Sequence, residues 1–286
     1  MIPTRSWREL LGEATAALGS TVDARRIVEQ ASGWGGAHHH VHLDEPVTTR
    51  ALASFDAMVS RRASGEPLQY VVGAWGFRTL DLLVDRRVLI PRPETEVVVE
   101  AALGELDRLG RRDGAVVVDL GTGSGAIALS LAVEARPAQV WATDSSAEAL
   151  AVARANLAGV GGRAATCVRM ARGDWFAALP SDLRHRVDLV VSNPPYVAEP
   201  EMADLPPEVA DYEPRSALLA GPTGLEQVRH IVTGALEWLR RPAALVVEVA
   251  PHLAAPAAEL SRAAGFCDVD VRPDLAGRLR TLVARA

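Results

Sequence analysis

Lysine is absent from the 286 residues; all 30 basic residues are arginine. The phosphate-binding loop with its lysine, kinase chemistry built on a strand lysine, and every Schiff-base mechanism are excluded with it. Only two cysteines occur, Cys167 and Cys267, too few for a disulfide framework. No uncharged apolar stretch approaches the roughly 20 residues that span a bilayer. The opening Met1-Ile2-Pro3-Thr4-Arg5-Ser6-Trp7-Arg8-Glu9 carries charges where a secretory signal needs an apolar core. These absences point to the cytoplasm and away from a membrane. A formal charge of −6 argues against broad binding to a phosphate backbone, so no stable nucleic-acid binding is expected.

What is present is an ordinary globular composition, 49% apolar and 23% charged. Residues 1–65 carry helical spacing in short pieces: Trp7, Leu10, Leu11, Ala14 and Leu18, then 22–31, then 48–62. They read as a small helical domain. Residues 66–92 predict a connecting hairpin, with strands at 70–73 and 77–84 around a glycine-marked turn. Residues 93–286 form the remaining domain, opening with a helix from Pro93 to about Leu109. Beyond Asp113, apolar runs at 115–119, 139–143, 188–192 and 243–249 alternate with helical stretches such as 123–133 and 146–157. That alternation indicates an α/β fold with a mostly parallel sheet covered on both faces. The runs 267–271 and 280–284 are joined by a short turn and should pair antiparallel.

The run Val116-Val117-Val118-Asp119-Leu120 leads into Gly121-Thr122-Gly123-Ser124-Gly125. A strand followed by a glycine turn that opens a helix lets a ligand approach the backbone, and the helix N-terminus offers it free N–H groups. Ala126 completes the permissive dinucleotide fingerprint, so a nicotinamide enzyme is a rival at this point. Asp144, 25 positions after Asp119, ends the next strand. A carboxylate there can accept both ribose hydroxyls of adenosine, or simply cap the following helix. Asp174 and Trp175 follow a third strand-like stretch and suit the amine and ring face of an adenine. Trp175 can equally be core.

Asn193-Pro194-Pro195-Tyr196 follows the strand 188–192 directly, on the rim where parallel sheets bind ligands. An amide nitrogen is a poor nucleophile because its lone pair is delocalised. The Asn193 side-chain oxygen and the Pro194 carbonyl can each accept one N–H of a substrate –NH₂ and favour the charge that develops on nitrogen. Consecutive prolines fix those acceptors and bring no competing N–H. Tyr196 offers a flat face for a planar amide or base. The same geometry would serve the exocyclic amine of adenine in nucleic acid.

These segments, with Gly173-Asp174-Trp175-Phe176, resemble the glutamine-N5 methyltransferases of the HemK type, which act on the Gly-Gly-Gln loop of peptide chain release factors. The likeness extends to Gly65-Glu66-Pro67-Leu68-Gln69-Tyr70, Leu89-Ile90-Pro91-Arg92-Pro93-Glu94-Thr95-Glu96, Tyr212-Glu213-Pro214-Arg215 and Asp274-Leu275-Ala276-Gly277-Arg278. It implies a Rossmann-like class I methyltransferase domain and S-adenosylmethionine as cofactor, with S-adenosylhomocysteine as product. Contacts to that cofactor are implied at Gly121, Gly123, Gly125, Asp144, Trp175 and Asn193, and Thr122, Ser124 and Asp174 are expected to bind it beside them. A glutamine clamp is implied at Asn193, Pro194, Pro195 and Tyr196, and the expected partner of a monomeric enzyme is a release factor. Arg92-Pro93-Glu94-Thr95 separates this branch from a sister that modifies a ribosomal protein. The N-terminal region is the least similar, and is expected to dock the substrate protein.

Four histidines, His38, His39, His40 and His42, lack the partner spacing of a metal site and read as a solvated loop. Both cysteines lie in apolar runs and read as buried small hydrophobes. The pairs Arg111-Arg112 and Arg240-Arg241 read as solvated charges.

Overall fold

The computed structural model describes residues 5–286, without the side chains of Ala37 and His39. Residues 1–4 of the opening read as unlike a secretory signal therefore lie outside the described residues. Two compact units are present: Met1–Ala74 together with Pro206–Tyr212, and Trp75–Leu205 together with Glu213–Ala286. The first thus runs past residue 65 and includes a piece from late in the chain.

In the first unit, α1 (Trp7–Leu18), α2 (Thr21–Ser32), α3 (Ala37–Val41), α4 (Thr49–Ala63) and α5 (Leu68–Val72) follow one another. Side chains set the starts: Ser6 and Glu9 form a reciprocal capping box for α1, while Ser20 and Thr48 cap α2 and α4. Gly19 and Gly33 end α1 and α2 in left-handed conformation. Trp7, Leu10, Ile27, Val28, Phe55 and Met58 meet in one core. Two expectations fail here. The stretch 70–73 is no strand, because Leu68–Val72 closes a helical turn capped by Gly73 at φ 72°. Arg61 holds it by donating to the carbonyls of Tyr70 and Val71 at 2.9 and 3.2 Å. The histidine-rich segment is also not simply a loop, since Ala37–Val41 is helical and His42 packs 4.6 Å from Trp34.

A hairpin of β1 (Ala74–Phe77) and β2 (Leu80–Leu83) leads from Ala74, the end of the N-terminal stretch of the first unit, into the second. The expected strand 77–84 is therefore not one strand but holds the turn at Arg78 and Thr79. Next is α6 (Pro93–Arg108), with proline in its first turn. Then come β3 (Val116–Leu120), α7 (Ala126–Glu134), β4 (Gln139–Asp144), α8 (Ala147–Val160), β5 (Val168–Arg172) and β6 (Val187–Ser192). A short parallel pair, β7 (Val197–Ala198) and β8 (Leu219–Gly221), precedes β9 (Leu239–Glu248), β10 (Asp268–Pro273) and β11 (Leu279–Arg285). The main sheet has seven strands in the order β10-β11-β9-β6-β3-β4-β5. Its strands β5, β4, β3, β6 and β9 are parallel, and β11 enters antiparallel to both β9 and β10. The α/β reading with an antiparallel end therefore holds.

Alternation along the strands builds two cores, because successive side chains point to opposite faces. Val117, Leu189, Val191, Ala244, Val246 and Val283 pack on one face with α6 and α7. Val118, Leu120, Val190, Leu245, Val247 and Leu282 pack on the other, with Phe176, Trp238 and the helices Glu226–Ala235 and Ala254–Ala264. Three of the sequence expectations need correction. Cys267 is exposed, whereas Cys167 is buried. Arg111 and Arg240 are not simply solvated, since both pair with Asp188, which is 1% exposed at the base of β6. An acid buried there without those cations would be costly to ionise. No helix among the described residues is long and apolar enough to cross a membrane.

Candidate active site

Register fixes the site. Leu120 pairs with Thr143 on one side and with Ser192 on the other, and Ser192 pairs with Val247. One step further along each strand, Gly121, Asp144, Asn193 and Glu248 emerge on one rim. The chain reverses its direction of sheet-building between β3 and β6, so the crevice opens at the switch point where such sheets bind ligands. Ser192 ties the two strand ends together by donating its hydroxyl to the Leu120 carbonyl at 2.7 Å.

A cavity at this rim is lined by Gly121, Thr122, Gly123, Ser124, Asp144, Asp174, Trp175, Asn193 and Pro195 among others. Of the expected residues, Gly125, Pro194 and Tyr196 do not line it. Gly125 has a packing role: a Cβ there would meet Leu129 at 3.2 Å and Ala153 at 3.4 Å. Gly121 and Gly123 have φ of 71° and 56°, conformations that favour glycine. Asp119 braces their turn from below, accepting from the Thr122 hydroxyl at 2.6 Å and the Ala128 amide at 3.1 Å. Complete burial pushes its pKa up to about 7 against those two hydrogen bonds.

Asp144 is not the N-cap of α8, a role that belongs to Ser146. Its oxygens accept from the amides of Gly123 at 3.0 Å and Ser146 at 2.8 Å. Burial raises its pKa, and those amide hydrogen bonds oppose the rise. Trp175 lies against Gly121, where a Cβ would meet the indole at 3.5 Å. Its indole N–H donates to Gln227 Oε1 at 3.1 Å, and Gln227 is itself anchored on the Ala220 carbonyl at 2.9 Å. Asp174 is exposed at the cavity edge.

Asn193 donates from Nδ2 to Thr95 Oγ1 at 3.1 Å, so its oxygen is the end left for an incoming donor. Thr95 donates in turn to Glu248 Oε2 at 2.6 Å. The Tyr196 hydroxyl reaches Glu248 Oε1 at 3.4 Å, and the tyrosine lines a separate cavity with Val197, Glu201 and His252. Burial raises the Tyr196 pKa, with the Glu248 charge adding to it. Sequence reasoning assigned no role to Thr95, Glu248, Gln227 or the cavity-lining Pro214 and Ala217. Thr95 and Pro214 stood inside segments noted only for their resemblance. Glu248 had a signal of its own, an acid ending an otherwise apolar strand.

The residues fit an adenosine-bearing cofactor: a carboxylate on the second strand, an indole over the glycine turn, and no Cβ in between. No lysine is available for a phosphate loop. Fold and rim together define a Rossmann-like, S-adenosylmethionine-dependent methyltransferase. A family model described as the PrmC N-terminal domain matches residues 6–73, and one described as the methyltransferase small domain matches 103–205. A release factor glutamine methyltransferase of Cereibacter sphaeroides is 43% identical over 92% of this chain and 90% of its own length. Its namesake from Moorella thermoacetica is 39% identical over 97% of both chains. The chain belongs to the release factor glutamine methyltransferase family. Among solved structures, a methyltransferase from Pyrococcus furiosus shares the fold with a TM-score of 0.52 at 18% identity, over 73% of this chain and 89% of that one.

Proposed function

We propose that this enzyme methylates the side-chain amide nitrogen of the glutamine in the Gly-Gly-Gln motif of a peptide chain release factor. The observation that carries the reading is Asn193, held by Thr95 on the cavity rim with its amide oxygen left to accept. Gly121, Thr122, Gly123, Ser124, Asp144, Asp174 and Trp175 would hold S-adenosylmethionine. Bound there, it supplies an electrophilic methyl on a sulfonium sulfur and leaves as S-adenosylhomocysteine. Asn193 Oδ1 and the Pro194 carbonyl each accept one N–H of the substrate amide. That orients the nitrogen and favours its developing positive charge, an effect absent from the ground state. Pro195, on the cavity wall, limits how the loop can relax. Tyr196 offers its ring to the planar amide while Glu248 holds its hydroxyl. The methylated nitrogen is acidic and releases its proton to water, so no base is required.

In this reading the first unit docks the release factor, the enzyme acts as a monomer in the cytoplasm, and it forms no stable complex with nucleic acid. Two free cysteines and a net charge of −6 support the last two points. The deciding experiment incubates the enzyme with labelled S-adenosylmethionine and either release factor or DNA, then localises the methyl by mass spectrometry. Label on the glutamine side chain is expected. Label on adenine would overturn the reading.

A further inference from the structure

Glu248 ends β9 on the same rim as Asn193, and in the chemistry above its carboxylate does no more than hold the Tyr196 hydroxyl. The side chain is wholly buried, with the Thr95 hydroxyl on one oxygen and the Tyr196 hydroxyl on the other. A threonine hydroxyl has one hydrogen. Thr95 commits that hydrogen to Glu248 at 2.6 Å, so toward Asn193 it presents only lone pairs. It can accept from Nδ2, as it does at 3.1 Å, and it cannot donate to Oδ1. Turning the Asn193 amide over would set two acceptor oxygens against each other inside the protein, which costs a buried hydrogen bond.

We infer that Thr95 and Glu248 are positioning residues which decide which end of the Asn193 amide meets the substrate, and that ionised Glu248 keeps the acceptor end forward. The inference rests on the amide-methylating reading above. Protonation reverses the chain of donors. A neutral Glu248 can donate to Thr95, which frees the Thr95 hydrogen for Asn193 Oδ1 and turns the amide's donor end toward the substrate. Several groups face Glu248: Glu94 and Thr95 from α6, Tyr196 after β6, and Arg280 beside its cross-strand partner Thr281 on β11. Arg280 is shared, lying 3.9 Å from Glu94 and 3.5 Å from Asp274. Burial dominates; the Thr95 hydrogen bond and Arg280 oppose it, Glu94 reinforces it, and the pKa is pushed up to about 7. Because the ionised form is the competent one, transfer is lost as pH falls through that region.

The test is single-turnover methyl transfer to release factor by the full-length enzyme at saturating cofactor, with cofactor affinity measured in parallel. Thr95→Val should slow transfer by about ten- to a hundredfold, while Thr95→Ser, which keeps the hydroxyl, should stay within about threefold of wild type. Cofactor affinity should change far less than the rate in both. The wild-type rate should fall below about pH 7, and Glu248→Gln should be slower with that acid limb flattened. Wild-type speed in Thr95→Val, or an unchanged acid limb in Glu248→Gln, would overturn the inference alone. A wild-type enzyme that does not methylate release factor would overturn the glutamine reading, and this inference with it.

Discussion

The carboxylate of Asp144 accepts the Gly123 amide at 3.0 Å, which ties the tip of β4 to the turn that follows β3. A contact of this kind joins two strands through one side chain, so the two walls of the crevice keep their spacing. It also orients the carboxylate, whose remaining lone pairs are available to ribose hydroxyls.

Asp144→Ala should weaken S-adenosylmethionine binding by about 1.5–3 kcal/mol, the worth of a hydrogen bond to a charged group. Asp144→Asn retains one acceptor and should fall between. Calorimetry on the folded variants measures it. Unchanged affinity in Asp144→Ala would remove the ribose role.

For Asn193→Ala a loss of about 10²–10³ in single-turnover rate is expected, with a smaller change in cofactor affinity. Asn193→Asp should fail as well. It places a carboxylate oxygen where Nδ2 donates to Thr95, and that threonine has no second hydrogen to give. A near-normal rate for either variant would show that the clamp is not built this way.

Arg62 tests the first unit. Its guanidinium donates to Asp23 at 2.6 Å, to Glu208 at 2.7 Å and to the Glu66 carbonyl at 3.1 Å. Arg62→Ala should lower stability by about 1.5–3 kcal/mol in a urea titration. It should also release residues 206–212, which a glutamate-specific protease would report as faster cleavage after Glu208. Equal cleavage rates would mean that other contacts hold the segment.

Acid stability should depend on Glu105. Burial alone would raise its pKa, but hydrogen bonds from Arg285 and Arg108 prevail and bring it down from 4.5 to about 2. A carboxylate depressed on folding stabilises the native state above its unfolded pKa. That contribution is lost as pH falls from about 4.5 toward 2. Melting temperatures across this range should drop more shallowly for Glu105→Gln, which starts less stable at pH 7. Parallel curves would assign the acid transition to other groups.

Most of the sheet was legible because its strands are short apolar runs set between helical stretches, whereas the register came only with the structure. The helices of the first unit were legible from apolar spacing such as Trp7, Leu10, Ala14 and Leu18, while the caps Ser6, Ser20 and Thr48 that start them came only with the structure. Leu68–Val72 was not, since Tyr70, Val71 and Val72 favour a strand locally and the helical turn is held by Arg61. At the site, Asp144 and Asn193 could be read because each ends a recognisable strand. Thr95 and Glu248 stand 153 positions apart, and only folding makes them neighbours. Asp188 likewise hid its two arginine partners, which the chain supplies from either side of it.

The first unit is discontinuous in sequence, because Pro206–Tyr212 belongs with the residues up to Ala74. The polypeptide therefore passes from one unit to the other three times, and no single cut separates them. Exchanging this unit between two family members means transplanting two stretches together. A graft of the N-terminal stretch alone would leave Arg62 facing a foreign partner at position 208. The short segment thus leans on a helix 146 residues away in sequence as well as on the chain on either side of it.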